Sequence, residues 1–295
     1  MTTTLLDDLE RLVRNHYILE PAIDPIVTAL HAGGPLPEPP EELAGELTRR
    51  LQSVNHDGHL RVRHRPDGAI DGFDSDAYER KYAAEARTNS GGIKEVRRIQ
   101  DGVWLLGIAP YLSEVHLAAP YVEAAFTLLA DARHLVIDVR ETRGGTPETV
   151  ALICSQLTGR QPVHLQDMVF RGAPPRQFWT RPVPRPLRPD LRVDVLTGSG
   201  TVSGGEELAY NLQALGRATV IGETTGGGAH PVEAFRLTEV LETLIPIARS
   251  VNAVTGTNWE QVGVVPDHPC PAADALDVAL ATAGPLSRST RQGRR

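Results

Sequence analysis

The sequence predicts an α/β protein in two parts: an N-terminal helical bundle, then a larger domain in which strands alternate with helices. Two patterns carry that prediction. Leucines recur one helical turn apart through residues 1–65. From Gly102 onward, short apolar β-rich runs alternate with apolar helical stretches, the signature of a mostly parallel sheet with helices packed on it.

In the first part, Thr4 is placed to cap a helix carrying Leu5, Leu9, Leu12 and Val13. Pro21 interrupts that pattern, and Ile23 to His31 gives a second short helix, stopped by Gly33, Gly34 and Pro35. Glu41 to Val54 gives a third, with Leu43, Leu47 and Leu51 on one face. The alternation Leu60, Val62, His64 reads as a strand start. Residues 66–100 are polar and read as a linker with a short helix over Asp76–Ala86, too short to hold a further domain.

The second part, 101–285, opens with a strand over Val103–Ile108, a helix over Leu117–Ala130, a strand over Leu135–Val139 and a helix over Glu148–Leu157. Six prolines within Pro174–Pro189 exclude regular structure there. Leu191 to Leu196 is an apolar strand, Glu206 begins a helix stopped by Gly216, and Ala218–Ile221 is a strand that runs into GETTGGG. Hairpins follow over 227–248, then the loop NAVTGTNWEQVGVVPD, a closing helix over Ala272–Ala283 and a polar tail, 286–295, expected to be disordered.

Ser203 stands where a strand ends and a helix begins. Free amides and the positive end of the helix dipole meet at such a point, so a hydroxyl there suits a nucleophile whose oxyanion the amides receive. The same residue also reads as an N-cap, with Glu206 completing a capping box. Glu206 and Glu207 read as charges at a helix start.

Taken together and in order, DVRETRGG, TVSGGEELAYNLQALGRATVIGETTGGGAHP and NWEQVGVVPD resemble the S41 serine peptidases: the C-terminal processing proteases, the tricorn core protease and the interphotoreceptor retinoid-binding protein repeats. The resemblance covers roughly residues 100–285. It implies a ClpP/crotonase-like spiral β-α domain and hydrolysis of a peptide bond. One branch of the family uses a lysine after the serine as base, but no lysine follows Lys94. The tricorn branch uses a histidine and a late glutamate, and His59 in DGHLRV and Glu260 in NWEQVGV match its motifs. The resemblance therefore implies a triad of Ser203, His59 and Glu260, a histidine base whose tautomer a carboxylate fixes. It also implies an oxyanion hole from Gly204 and from Gly144 or Gly145. His230 is a rival base. In the tricorn branch a second serine precedes the histidine, and Gly58 occupies that position. The PDZ domain common in the family has no room in 66–100, which leaves a small non-peptide acyl substrate open, as in a biosynthetic hydrolase or cyclase. Retinoid-binding repeats share the fold, so a non-catalytic binder of apolar ligands is the rival class.

Bulk properties narrow the field further. The 295 residues include 30 basic and 37 acidic side chains, a formal charge of −7, with 5% aromatics. A nucleic-acid partner is not expected. No apolar run approaches membrane-spanning length and the N-terminus lacks the pattern of a secretory signal, so a cytoplasmic protein without a membrane partner is expected. Cys154 and Cys270 lie far apart, and His56 and His59 share a glycine-containing turn with no third ligand nearby in sequence. No disulfide, metal or cofactor is expected. A peptide or small acyl substrate is the expected partner, and homo-oligomerisation is left open.

Overall fold

A computed structural model describes residues 2–69 and 83–282, the side chains of 2–4 excepted. The chain divides into two compact units. The first comprises Met1–Tyr82, Gln166–Phe178 and Gly228–Gln261; the second comprises Ala83–Leu165, Trp179–Gly227 and Val262–Arg295.

The first unit begins with three helices, α1 (Thr2–His16), α2 (Glu20–Ala32) and α3 (Pro40–Gln52). Pro21 follows the break that the sequence suggests, which falls between His16 and Glu20. It occupies the first turn of α2, where a missing N–H leaves no intrahelical bond unmade. Leu9, Val13, Tyr17, Ile26, Leu30, Leu47 and Leu51 are buried together. They pack on a sheet formed by β1 (Arg61–His64), β9 (Val232–Arg236) and β10 (Leu241–Pro246), whose Leu241 and Ile245 join the same core. The sheet is antiparallel with order β1-β10-β9, so residues about 180 positions apart in sequence lie side by side, as in Val62 opposite Thr243. A second small sheet pairs β11 (Ala248–Asn252) with β5 (His164–Phe170), with β6 (Arg176–Trp179) on its other side. The strand β6 corrects the reading of the proline-rich stretch. The prolines flank Arg176–Trp179 rather than enter it, and Phe178 is buried against Met168 and Ala248.

The second unit is built on a six-stranded sheet, ordered β12-β8-β7-β4-β3-β2. Its strands are β2 (Ile93–Gln100), β3 (Val103–Ile108), β4 (His134–Asp138), β7 (Arg192–Thr197), β8 (Thr219–Gly222) and β12 (His268–Pro269). The strands β3, β4, β7, β8 and β12 are parallel, and only β2 is antiparallel to its neighbour. The central strands are apolar throughout, as in Leu135–Val136–Ile137 and Val195–Leu196, because helices cover both faces. These helices are α4 (Val115–Leu128), α5 (Pro147–Leu157), α6 (Gly204–Ala214) and α7 (Ala275–Thr282). The strand β2 lies in the stretch read from sequence as a polar linker. It is an edge strand with two register irregularities, and its charged IKEVRRIQ hides the alternation on which a strand prediction depends. The helix expected over Asp76–Ala86 falls outside the described residues up to position 82, and 83–88 are helical. The tail 286–295 also lies outside them.

Because β3, β4, β7 and β8 are parallel, the loops that leave their carboxyl ends open on one edge of this sheet. Those loops are 109–114, 139–146, 198–203 and 223–227. Among the described residues no helix is long and apolar enough to cross a membrane.

Candidate active site

In the second unit, β7 ends at Thr197 and α6 starts at Gly204, with Ser203 at the turn between them. Ser203 has φ 54° and ψ −120°, a backbone conformation rare for any residue but glycine. The capping box with Glu206 is formed, but an ordinary N-cap has extended backbone, so Ser203 is a cap set in an elbow. The Ser203 N–H donates to the Glu206 carboxylate at 2.7 Å. Glu206 is fully buried, and its other oxygen accepts from the Thr225 hydroxyl at 2.5 Å and the Gly227 N–H at 2.6 Å. It is therefore more than a helix-start charge. It ties the elbow to the GETTGGG turn, and three donors compensate its burial.

Three glycines converge on this elbow. A Cβ added to Gly204 would stand 2.8 Å from the Gly145 nitrogen, so only glycine allows the first turn of α6 to press on the 139–146 loop. Gly144 and Gly145 have φ of 152° and 151°, and a Cβ on Gly144 would lie 3.7 Å from the Ser203 Cβ. The Gly144 carbonyl is engaged by the Leu112 N–H, whereas the N–H groups of Gly144 and Gly145 donate to no acceptor among the described residues. Gly204 is the first residue of its helix, where the N–H has no intrahelical acceptor.

His59 and Glu260 belong to the first unit, and there they meet. His59 Nδ1 lies 3.6 Å from Glu260 Oε1. The other Glu260 oxygen accepts the N–H groups of Ala229 at 2.6 Å and His230 at 3.1 Å, which fixes the carboxylate. Trp259, fully buried, donates its indole N–H to the Gly228 carbonyl and anchors the loop that carries Glu260. Asp57 completes the arrangement. One of its oxygens accepts the His59 N–H at 3.0 Å and the other the Tyr17 hydroxyl at 2.8 Å, while Asn55 donates to that hydroxyl. His230 Nδ1 lies 3.8 Å from both Asp57 and Glu260. His56 is exposed.

Burial alone pushes the His59 imidazole toward the neutral form, but the Glu260 carboxylate outweighs it and holds its pKa above the ordinary histidine value. Burial pushes the Asp57 carboxyl up, and the His230 ring, the Tyr17 hydroxyl and the His59 amide together reverse this and hold it below the ordinary value. Burial and the Asp57 charge push the Tyr17 phenol well above its ordinary range, so it acts as a hydrogen-bond donor.

Ser203, Gly204, Gly144 and Gly145 thus gather in one unit, and His59 and Glu260 in the other. Sequence reasoning missed Asp57, Tyr17 and Asn55 altogether. The HDGH turn does carry a signal for Asp57, because an aspartate two residues before an amide is placed to accept it.

The sequence profile of peptidase family S41 matches residues 112–270, more than half of the chain. The chain belongs to peptidase family S41. The matched stretch includes Ser203, both loop glycines and Glu260. Among S41-type relatives, the chloroplastic carboxyl-terminal-processing peptidase 2 of Arabidopsis thaliana is 31% identical over 137 residues, 46% of this chain. The chain spans 26% of the length of that curated relative. Among solved structures, a protein from Parabacteroides merdae superposes with a TM-score of 0.70 at 18% identity, covering 97% of this chain and 98% of that one. The photosystem II D1 C-terminal processing protease superposes at 0.56 with 14% identity, covering 91% and 92%. The tricorn protease gives 0.58 at 14% identity, with 93% of this chain and 35% of that one covered. At these identities the likeness is one of fold.

Proposed function

We propose that this S41 member is a serine peptidase that hydrolyses a peptide bond through Ser203, with His59 as base and Glu260 as the carboxylate that orients it. The observation that carries this reading is the elbow. Ser203 sits in a strained conformation at a helix start, beside loop and helix amides without acceptors of their own. In this mechanism Ser203 Oγ attacks the scissile carbonyl as His59 Nε2 takes its proton. The oxyanion is received by Gly204 and by Gly144 or Gly145. The imidazolium formed is stabilised by Glu260 on the Nδ1 side and then gives its proton to the leaving amine. The missing partner serine at Gly58 leaves these roles unchanged.

Two differences favour His59 over His230 as base: its Nδ1 lies nearer Glu260, 3.6 against 3.8 Å, and its side chain is 21% rather than 6% exposed, which leaves Nε2 open to a hydroxyl. Labelling by a fluorophosphonate, read by intact mass, tests the assignment on wild type, Ser203→Ala and His59→Ala. A single adduct on wild type, absent from Ser203→Ala and formed far more slowly by His59→Ala, is expected. An unlabelled wild type would sink the reading and favour a non-catalytic binder.

A further inference from the structure

Asp57, His59, His230 and Glu260 bring two imidazoles and two carboxylates into one small volume of the first unit. His59 Nδ1 is 3.6 Å from Glu260 Oε1 and 3.9 Å from Asp57 Oδ1. His230 Nδ1 is 3.8 Å from Asp57 Oδ2 and 3.8 Å from Glu260 Oε1. The ligand atoms of Asp57, His59 and Glu260 all fall within 4.8 Å of one another. A tetrahedral zinc with bonds of about 2.0–2.1 Å separates its ligands by about 3.3 Å, so Asp57, His59 and Glu260 stand near that spacing, and the His230 ring would have to swing in toward them to complete the set.

His230 gives the independent sign of a ligand. Its side chain is only 6% exposed, and its Nδ1 is sealed from solvent without a hydrogen-bond partner among the described residues. At 3.8 Å from each carboxylate it makes no hydrogen bond with them, yet it points between them. A buried ring nitrogen in that position calls for a partner. The outer contacts are those of a metal centre as well. The Tyr17 hydroxyl holds Asp57, and the amides of Ala229 and His230 hold Glu260. Two carboxylates supply negative charge for a dication, and two imidazoles supply nitrogen donors. Mixed nitrogen and oxygen donors suit zinc and its neighbours rather than calcium or magnesium.

We propose that these four residues form a site for a divalent cation of the zinc class, and that its occupancy switches the hydrolase off. The switch, though not the site, rests on His59 being the base. An ion on Nδ1 leaves the imidazole proton on Nε2, so that nitrogen has no lone pair with which to accept the Ser203 proton. Release of the ion restores the base.

The test uses the full chain and zinc chloride, with a chromophoric chelator competing for the ion. Wild type and Ser203→Ala should each hold one equivalent, and His230→Ala should bind at least tenfold more weakly. X-ray absorption of the zinc-loaded wild type should report two imidazoles with oxygen ligands and no sulfur, and it decides the matter alone if His230→Ala fails to fold. Failure to take up zinc, equal affinity in a folded His230→Ala, or sulfur ligation would overturn the site. Fluorophosphonate labelling should stop when zinc is bound and return with excess chelator; labelling undiminished by bound zinc overturns the switch. Zinc held through two imidazoles in a chain that stays unlabelled even with chelator would keep the site and overturn the Ser203–His59 reading instead.

Discussion

The surroundings of Ser203 and those of His59 are built in opposite ways. Around Ser203 the key positions lie close in sequence: the carboxylate that takes its N–H is three residues on, and the helix it starts follows directly. Only the 139–146 loop and the GETTGGG turn come from elsewhere, and the parallel sheet delivers both to the same edge. Around His59, four segments spread over about 240 residues converge: Tyr17, the Asn55–His59 turn, Ala229–His230 and Trp259–Glu260. The setting of Ser203 is thus backbone geometry fixed by local chemistry. The setting of His59 is a polar cluster that exists only once the helices, the β1-β10-β9 sheet and the Trp259 loop have packed. Local settings survive single side-chain changes elsewhere, whereas a convergent cluster responds to each of its members.

The strongest way to break this contrast is a double-mutant cycle. Ser203→Ala is expected to lower kcat about 10⁶-fold and His59→Ala by a comparable factor, while the double variant loses no more than either alone. Fully additive losses in steady-state kinetics would show that the two regions do not serve one step.

Glu260→Gln comes next, with an expected loss of about 10²–10⁴-fold in kcat. Its pH profile sharpens the assignment. His59 must be neutral to accept a proton, and its pKa is raised by Glu260, so wild-type activity should climb through a midpoint above the ordinary imidazole value. Without the carboxylate that midpoint should move to lower pH. Profiles measured in chelator that keep the same midpoint would separate Glu260 from the base.

A smaller effect is expected for Glu206→Gln. The amide keeps the shape but offers an NH₂ where Ser203, Thr225 and Gly227 all present donors. Chemical denaturation should show a loss of about 1–3 kcal/mol. An unchanged midpoint would mean that the elbow holds itself without this clamp.

The smallest effect is expected at Gly58. A Cβ there meets nothing within 4 Å and its backbone is not in the left-handed region, so Gly58→Ser should change stability by less than about 0.5 kcal/mol. A larger loss, measured in the same unfolding experiment, would show that the turn before His59 is more tightly packed than its exposure implies.

Much of the fold was readable from the chain because its central strands are buried on both faces. Leu135–Val139 and Leu191–Leu196 announce themselves as apolar runs, and the helices between them by their spacing. The edge strand Ile93–Gln100 was not readable, since a solvent-facing strand keeps its charges and breaks its alternation with register shifts. Strand β6 was hidden by the prolines beside it. At the candidate site, Ser203, Gly204, Gly144, Gly145, His59 and Glu260 were nominated by motif. The sequence by itself determined where the strand-to-helix elbow falls, because Gly204, Gly205 and Glu206 carry the required backbone freedom and hydrogen-bond chemistry within three residues of Ser203. Only the tertiary structure decided that Asp57 and His230 stand with His59 and Glu260, because nothing local relates positions 57, 230 and 260. Their meeting depends on antiparallel pairing across about 180 residues and on the buried Trp259, long-range terms that no window of sequence contains.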